Sequence, residues 1–512
     1  MKSHPPNAAD VAEPSARESR LERHRPLPGW LPGEVLAVFL SLIPIGVRAA
    51  DESWHGPWSL TPDTKVKLSF YERLRGEGTH WFGNPIIGGY EIPRTSSYGL
   101  MTHRAQLGLE LEHSDWLETQ LQFQNVVVAG VPSDSVGVGY GYWNASPNST
   151  QASASIRQGW LKLKQDGFYL AGGRQFYNDG AEGNAQEKHL KYIQDYRLSQ
   201  RLIGQLDYAA PGRSFDGARA GFSNDAFEVS GFYLVPTYGG LNIQGMSAID
   251  GINLAGFSVS LREKAGLDNT IGHLGFYNYR DTRPDVVVVE NRLPGPPGAN
   301  IDLQTFAGHL AHVHDLEGGK IDMTAFGFGQ IGEWQTQTQR SWAYGVELGY
   351  EWSDTWANPW LRAGINSGSG DNNPWDNTHR TFFQMIPSTP IQSPFPFYNM
   401  MNNRDVFVQL LARPLPNVGL RLDFHWLDLN AGNDLWYTGS GAGSNTDFGY
   451  FGAPGYGQNS LAYLTHIGGV IFLSQELKLN VFYGHAFGQE VIRSNYSGAA
   501  GDFGLVEVVY GF

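Results

Sequence analysis

Basic and acidic residues recur along the chain at alternate positions of the same segments, and apolar residues occupy the positions between them. The members that we select as candidate ligand-contacting residues are the basic Lys67, Arg73, Arg104, Arg219, Arg362 and Arg421 and the acidic Glu347 and Asp423. A guanidinium group binds a carboxylate through two parallel hydrogen bonds, so a row of arginines suits an anionic ligand. Paired with the acids, the same arginines would form a structural ion-pair network. The sequence leaves both interpretations open.

Metal-binding and hydrolytic chemistry have weaker support in the sequence. Asp371 and Asp376 offer hard oxygen ligands that suit Ca²⁺, but their loop lacks the glycine and the bidentate glutamate of a helical calcium loop. An ordinary polar turn accounts for them better. Ser460 and His466 belong to no hydrolase motif and are not distinguishable from a chance pair. We therefore predict a protein that is not an enzyme, with no catalytic residue, no resident metal and no cofactor.

The segments that carry the selected residues have a period of two. After residue 60, stretches of about ten residues alternate polar and apolar positions between Gly-, Asn-, Asp- and Pro-rich links, which is the pattern of transmembrane β-strands. Leu107, Leu109 and Leu111, for example, lie on the face opposite Arg104 and Glu110. Because hydrocarbon cannot solvate a charge, the apolar face of a barrel points outward and the charged face lines the interior. A soluble sandwich would also alternate, but its strands are shorter, about 5 or 6 residues.

Counting these segments predicts an all-β fold, an antiparallel up-and-down transmembrane barrel that forms a monomeric pore. The eighteen predicted strands lie near residues 64–73, 99–111, 117–126, 155–164, 166–174, 213–223, 226–235, 255–262, 270–279, 303–314, 319–330, 341–352, 356–365, 404–413, 418–427, 461–473, 476–487 and 503–512. Short links alternate with long ones, so we expect the termini in the periplasm and the long loops near residues 140, 190, 290, 390 and 445 facing outward. Residues 202–209 also have a strand-like pattern. Counting them as a strand would make the number of strands odd, so they are assigned to the loop after residue 175. The Gly- and Pro-rich loop at residues 129–154 is a candidate lid.

The first fifty residues have the features of a targeting segment. Basic residues precede an apolar run at residues 35–47, and Val-Arg-Ala-Ala at residues 47–50 is similar to a cleavage site. We predict a signal peptide at residues 1–49 and one barrel domain at residues 50–512, the alternative for the first segment being a disordered tail. The chain contains 0 cysteines, so disulfides are not available to it. A net charge of −14 does not suggest a nucleic-acid partner.

Four segments, in order along the chain, resemble motifs of the alginate export family. They are Arg-Ser-Phe-Asp-Gly-Ala-Arg at residues 213–219, Ser-Gly-Asp-Asn-Asn-Pro-Trp-Asp at residues 369–376, Asp-Leu-Trp-Tyr at residues 434–437 and Tyr-Gly-His-Ala-Phe-Gly at residues 483–488. The alternating carboxy-terminal segment that ends at Phe512 also resembles the terminal strand recognised by outer-membrane insertion machinery. Each motif alone is weak, but four in the same order are specific for the family.

The resemblance implies an eighteen-stranded porin in the outer membrane of a Gram-negative cell. Its expected function is to pass an anionic, alginate-like polysaccharide or its oligomers through a partly arginine-lined lumen, and its expected partners are outer-membrane lipid, that acidic sugar chain and periplasmic export components. The alternative is a general or small-solute porin, and an adhesive barrel or an outer-membrane hydrolase are further classes. Ser474 and Gln475 join the sixteenth and seventeenth strands directly, where the family's alginate porin has a long periplasmic segment, so a plug from that segment is not expected.

Overall fold

The computed structural model describes residues 56–512 with the exception of residues 264, 293, 294 and 446. The predicted signal peptide at residues 1–49 lies outside the described residues and stays a prediction. None of the helices in the described part of the chain is long and apolar enough to cross a membrane.

One large antiparallel sheet dominates the fold and contains eighteen long strands. They are β1 Thr64–His80, β2 Ser97–His113, β3 Leu117–Ala129, β4 Thr150–Gln165, β5 Phe168–Gln175, β6 Phe215–Ser223, β7 Phe227–Pro236, β8 Ile252–Leu261, β9 Thr270–Asp281, β10 Ile301–Leu316, β11 Gly319–Trp334, β12 Gln337–Trp352, β13 Trp360–Gly368, β14 Asn403–Leu415, β15 Val418–Asp428, β16 Ser460–Phe472, β17 Leu477–Gly488 and β18 Ala500–Gly511. Short helices lie between strands, namely α1 Val138–Ala145, α2 Lys188–Ile193 and α3 Glu490–Asn495.

The sheet closes on itself and forms a barrel. Each long strand pairs with the next one along the chain, and β18 pairs with β1 so that Tyr71 lies opposite Gly511. All eighteen predicted strands are confirmed, which excludes the soluble sandwich. Strand β1 extends to His80, beyond its predicted end near residue 73. Its pairing with β2 and β18 continues through Gly76 and Gly78, which have no apolar side chain to extend the alternation.

The alternation of the strands matches the two environments of a membrane barrel. In β12 the side chains of Ser341, Ala343 and Glu347 are buried inside, whereas Trp342 and Leu348 are exposed on the outer face. Outward apolar side chains have hydrocarbon as their solvent, so their exposure in the isolated chain carries no penalty in the membrane. The period of two therefore places the polar members of each strand in the interior.

The two ends of the barrel differ in their links. At one end the strands are joined by short turns, such as residues 166–167, 317–318, 416–417 and 473–476. At the other end most links are long, although a tight turn at residues 335–336 joins β11 to β12. We call these the short-turn end and the long-loop end. The direct link between β16 and β17 agrees with the absence of a plug-forming segment there.

Two long loops fold into the barrel instead of away from it. Residues 176–214 contain α2, which continues as a π-helix at Gln194–Leu198, and residues 369–402 follow β13. Their apolar side chains form a core with inward residues of the strands, among them Leu190, Ile193, Leu198, Leu202, Ile203, Phe382, Phe383, Met385 and Ile386. The prediction that the loops near residues 190 and 390 face outward is therefore wrong, because burying this apolar surface inside the barrel is favourable. Residues 202–209 lie in the first of these loops, as predicted.

Candidate channel interior

Arginines of β1 hold the backbone of the 176–214 loop. Arg73 donates hydrogen bonds to the carbonyl oxygens of Asp207 (2.7 Å) and Ala209 (2.6 Å). Arg75 donates to the carbonyl oxygen of Tyr208 at 2.9 Å. The predicted inward residue Arg73 and its neighbour Arg75 thus fix three consecutive carbonyl groups of a loop that has no regular structure there. Charged donors make such bonds stronger than neutral ones, so this contact anchors the loop to the wall.

The carboxylate of Asp207 lies between further arginines. Arg104 Nη1 is 2.9 Å from Asp207 Oδ1, and Arg157 Nη2 is 3.8 Å from the same oxygen. Burial alone would raise the pKa of Asp207, but the charges of Arg104, Arg73 and Arg157 outweigh it and hold the pKa well below its usual range. The Asp207 side chain is nevertheless 51% exposed, so solvent inside the barrel reaches this carboxylate.

A second group of charges is closed to solvent. Glu347 Oε1 lies 2.7 Å from Arg197 Nη2 and 3.8 Å from Arg201 Nη2, and Glu347 Oε2 lies 3.1 Å from Arg362 Nη1. Arg362 also pairs with Asp322 at 3.0 Å. The side chains of this group are exposed by 2% or less, so the group connects the π-helix of the 176–214 loop to β11, β12 and β13.

A third group lies on β15. Arg421 Nε donates to Asp423 Oδ2 at 2.7 Å, and Arg421 Nη2 donates to the carbonyl oxygen of Gln392 in the 369–402 loop at 3.1 Å. Asp423 is buried, whereas the Arg421 side chain is 21% exposed. This pair anchors the second inward loop, as Arg73 and Arg75 anchor the first.

A cavity lies at each end of the interior that the structure describes. The cavity at the long-loop end, which we call the outer cavity, has a volume of about 390 Å³, and the ionisable residues among its described lining are Arg75, Glu77, Arg94, Tyr140, Tyr142, Tyr208, Arg213, Asp447 and Tyr496. The cavity at the short-turn end, which we call the inner cavity, has a volume of about 290 Å³, and its described ionisable lining residues are Lys162, Tyr169, Arg219, Glu228 and Arg262. In both described linings, formally charged basic side chains outnumber acidic ones.

A chain of contacts joins the two cavities. Ala209, which lines the outer cavity, is held by Arg73, and the Arg157 guanidinium lies 4.5 Å from the ring centroid of Phe176, which lines the inner cavity. Asp207 lies between these arginines. Arg157 Nε and Nη2 have no hydrogen-bond partner within the described chain. The half-exposed Asp207 carboxylate and the Arg157 guanidinium therefore lie between residues that line the two cavities.

The predicted ligand-contacting residues occupy different places in this interior. Arg73 and Arg104 lie together at Asp207, Arg362 lies with Glu347, and Arg421 lies with Asp423, so the structure arranges them in separate groups and not in one row. Arg219 lines the inner cavity, with its guanidinium 5.1 Å from the ring centroid of Tyr177. Lys67 is exposed near the short-turn end. As contacts of a transported ligand, all eight stay predictions.

Sequence reasoning did not select several charged residues that the interior uses. Arg197, Arg201 and Asp207 lie in a loop, where alternation carries no information, and Arg157 lies where the register of β4 shifts against β3, between Gln122 and Phe123. Arg213 belongs to the motif at residues 213–219 but is not among the predicted ligand-contacting residues. It is buried, and it donates to the carbonyl oxygens of Gly204 and Ser440 in two different loops.

The loop that contains Asp371 and Asp376 forms a hydrogen-bonded turn. Asp371 Oδ1 accepts from the backbone N–H of Asn373 at 2.9 Å, and Asp376 Oδ1 accepts from that of Thr378 at 3.1 Å. Arg380 Nη1 pairs with Asp376 Oδ2 at 2.8 Å. These contacts occupy the carboxylate oxygens that a cation would need, which agrees with the polar-turn interpretation.

The closed barrel, its apolar outer face and its charged interior define an outer-membrane channel, a class of proteins that are not enzymes. The model of the alginate export family matches residues 103–503, and the chain belongs to that family. A search of curated proteins finds no significant match.

Solved structures of outer-membrane proteins share the fold. Acinetobacter baumannii OccAB2 superposes with a TM-score of 0.56 at 9% identity, over 87% of this chain and 98% of that one. Pseudomonas aeruginosa OccK9 (OpdG) gives a TM-score of 0.55 at 10% identity, with the same coverage of 87% and 98%. Pseudomonas aeruginosa OccK2 (OpdF), solved in complex with glucuronate, gives a TM-score of 0.53 at 10% identity, again over 87% and 98%. At these identities the likeness concerns the fold alone.

Proposed function

We propose that this channel passes acidic sugars, as alginate-like uronate chains or their oligomers, across the outer membrane. The observation that carries the proposal is the surplus of cationic side chains in the described linings of both cavities, in a chain whose net charge is −14. Permeating ions respond to the local field of a narrow section with low-dielectric walls, whereas distant surface charges are screened beyond about 8 Å at physiological salt. Local charge therefore favours anions.

The charged groups between the two cavities support the same ligand class. A uronate carboxylate that entered from either cavity would meet Arg104 and Arg157, which already bind the carboxylate of Asp207. The ligand would replace a carboxylate that the protein itself supplies, so the arginines would exchange one anionic partner for another. OccK2 (OpdF), whose fold is similar, was solved with a sugar acid, which is consistent with this class.

The filling of the interior by two loops favours a small ligand, and thus the small-solute alternative. The 176–214 and 369–402 loops occupy much of the interior and leave two cavities of about 390 and 290 Å³. Cavities of this size suit single sugar acids or short oligomers. A long chain requires the contacts of Asp207, Tyr208 and Ala209 with the wall to open during passage.

We infer a monomeric pore, delivered by a signal peptide at residues 1–49 and surrounded by outer-membrane lipid. Periplasmic export components are the expected partners if a polymer is the cargo. Replacing residues 1–49 with a known signal peptide should preserve insertion into the outer membrane, whereas deleting them should abolish it.

Uptake into liposomes tests the ligand class. Purified, refolded protein in liposomes is compared for the uptake of radiolabelled glucuronate, oligomannuronates of increasing length, and neutral glucose and maltose. We expect glucuronate to enter at least threefold faster than glucose, and uptake to fall with oligomer length if the loops stay in place. Equal rates for glucose and glucuronate would reject the acidic-sugar proposal and leave a general porin.

A further inference from the structure

Two histidines and two aspartates meet on the inner wall formed by β14, β15 and β16. They are Asp405, Asp423, His425 and His466, and the side chain of each is exposed by 2% or less. One ligand atom from each of Asp423, His425 and His466 lies within 4.8 Å of the other two. This group of three residues, which we call the β15–β16 triad, belongs to neither cavity.

Hydrogen bonding fixes the orientation of both imidazole rings. His425 Nδ1 lies 2.8 Å from Asp405 Oδ1, and His466 Nδ1 lies 3.4 Å from the hydroxyl oxygen of Ser393 in the 369–402 loop. When Nδ1 of His425 donates its proton to the aspartate, Nε2 of the same ring carries a lone pair. A carboxylate behind a histidine is also the arrangement that orients histidine ligands of metal ions.

Each residue of the triad has a buried polar atom without a hydrogen-bond partner in the described chain. Asp423 Oδ1, His425 Nε2 and His466 Nε2 are buried and have no hydrogen-bond partner within the described chain. His466 Nε2 lies 2.6 Å from Asp423 Oδ2, but without the geometry of a hydrogen bond. Buried polar atoms without partners are costly, and one cation could satisfy these three because ligand atoms of the same residues lie within 4.8 Å of one another.

We propose that Asp423, His425 and His466 bind a divalent transition-metal cation, with Zn²⁺ as the representative ion. Two imidazole nitrogens and one carboxylate oxygen form a donor set that zinc accepts, and three protein ligands leave a fourth position for water. Asp405 then acts behind His425 as the residue that orients it.

The ion pair of Asp423 with Arg421 is compatible with this site. Arg421 and Gln409 both donate to Asp423 Oδ2, so Oδ1 stays available to a cation. The competing explanation is a purely structural polar cluster that joins the three strands. That explanation predicts no metal affinity, and the two are therefore separable by experiment.

Metal binding is measured on the refolded full-length barrel in detergent after treatment with EDTA. The barrel is equilibrated with 100 µM Zn²⁺, desalted and analysed for bound metal. We expect about one Zn²⁺ per chain at this site, and a loss of affinity of at least tenfold in His425→Gln and in His466→Gln. The matched control is His485→Gln, because His485 also pairs with an aspartate, Asp502 at 2.7 Å, but lies outside the triad.

Two results would overturn the site: a wild type that retains no Zn²⁺, or triad variants that bind Zn²⁺ as tightly as the wild type does. Folding of each variant is checked by its heat-modifiable migration on gels. As a measurement that needs no variant, the wild type is loaded with one equivalent of Cu²⁺ and examined by electron spin echo. We expect coupling to the nitrogens of two imidazoles, and a spectrum without coordinated imidazole refutes the proposal.

Discussion

The hydroxyl of Thr381 donates a 2.5 Å hydrogen bond to Oδ2 of Asp434, and this bond joins two loops that carry family motifs. The backbone N–H of Asp371 donates to the same oxygen at 2.8 Å, and the hydroxyl of Tyr437 donates to Oδ1 at 2.9 Å. The segments at residues 369–376 and 434–437 are therefore linked in space through one buried carboxylate. Arg213 joins the 176–214 loop to the loop that contains Asp434, through the carbonyl oxygens of Gly204 and Ser440.

The buried carboxylate of Asp434 gives the first prediction, a dependence of stability on pH. Burial raises the pKa of Asp434 to about 6, from an ordinary value of 3.8. Between these values the folded state binds a proton that the unfolded state does not, so this group's contribution to stability is full below about pH 4 and is lost as the pH rises through 6. The unfolding temperature of the wild type minus that of Asp434→Asn should fall by a few degrees from pH 4 to pH 7. A difference that does not change with pH contradicts the assignment.

A second prediction concerns ion selectivity. Arg219 lines the inner cavity, so Arg219→Gln should reduce the ratio of anion to cation permeability at least twofold. Reversal potentials under a salt gradient in planar bilayers measure this ratio. Arg404→Gln is the control, because the Arg404 side chain is exposed on the outward face of β14 and pairs with Asp428. A cation-selective wild type, or equal effects of the two substitutions, would argue against a cationic lumen.

Asp207 is expected to limit the passage of anions. Asp207→Asn removes the negative charge between Arg104 and Arg157, so a permeating carboxylate no longer competes with that charge for the two guanidinium groups. Single-channel conductance and anion selectivity should both increase, and glucuronate should reduce the current at lower concentrations than in the wild type. Asp250→Asn changes an exposed aspartate outside the strands and should leave these quantities unchanged. A fall in anion selectivity in Asp207→Asn would show that this carboxylate does not oppose anions.

Removing the charge of Glu347 should loosen the 176–214 loop. Glu347→Gln leaves Arg197, Arg201 and Arg362 buried with less compensation, and breaking a buried ion pair costs about 3–5 kcal/mol. We expect a lower unfolding temperature and new tryptic cleavage after Arg197 or Arg201, detected by mass spectrometry. Glu112→Gln, at an exposed position of β2, should retain the wild-type cleavage pattern. Trypsin resistance in Glu347→Gln would mean that apolar packing alone retains the loop.

Single cysteines can map the topology because the chain contains none. Ser149→Cys, at an exposed position of the long-loop end, should react with an impermeant maleimide in intact cells. Ser388→Cys should not react, because Ser388 is buried and accepts a hydrogen bond from the backbone N–H of Leu206. Ser474→Cys, in a short turn, should react only after the outer membrane is permeabilised. Reaction at Ser474 but not at Ser149 in intact cells would invert the barrel in the membrane.

The sequence by itself determined the number of strands and the side that each strand residue faces. Lipid and water lie on opposite faces of a barrel wall, so apolar and polar side chains must alternate along each strand. This alternation involves residues adjacent in the sequence, so the sequence alone shows it. In β12, for example, the apolar residues Val346 and Leu348 on either side of Glu347 predict that Glu347 faces the interior. In the structure Glu347 is buried and both neighbours are exposed.

Only the tertiary structure decided what these inward residues contact. Glu347 lies 150 residues from Arg197 in sequence, and Arg197 belongs to a loop whose irregular backbone leaves no periodic signal. The same holds for Asp207, which comes between Arg104 and Arg157 only because its loop folds into the barrel. Alternation reports which solvent a strand residue faces, whereas the partner of a buried charge depends on how distant segments fill the space inside a closed barrel.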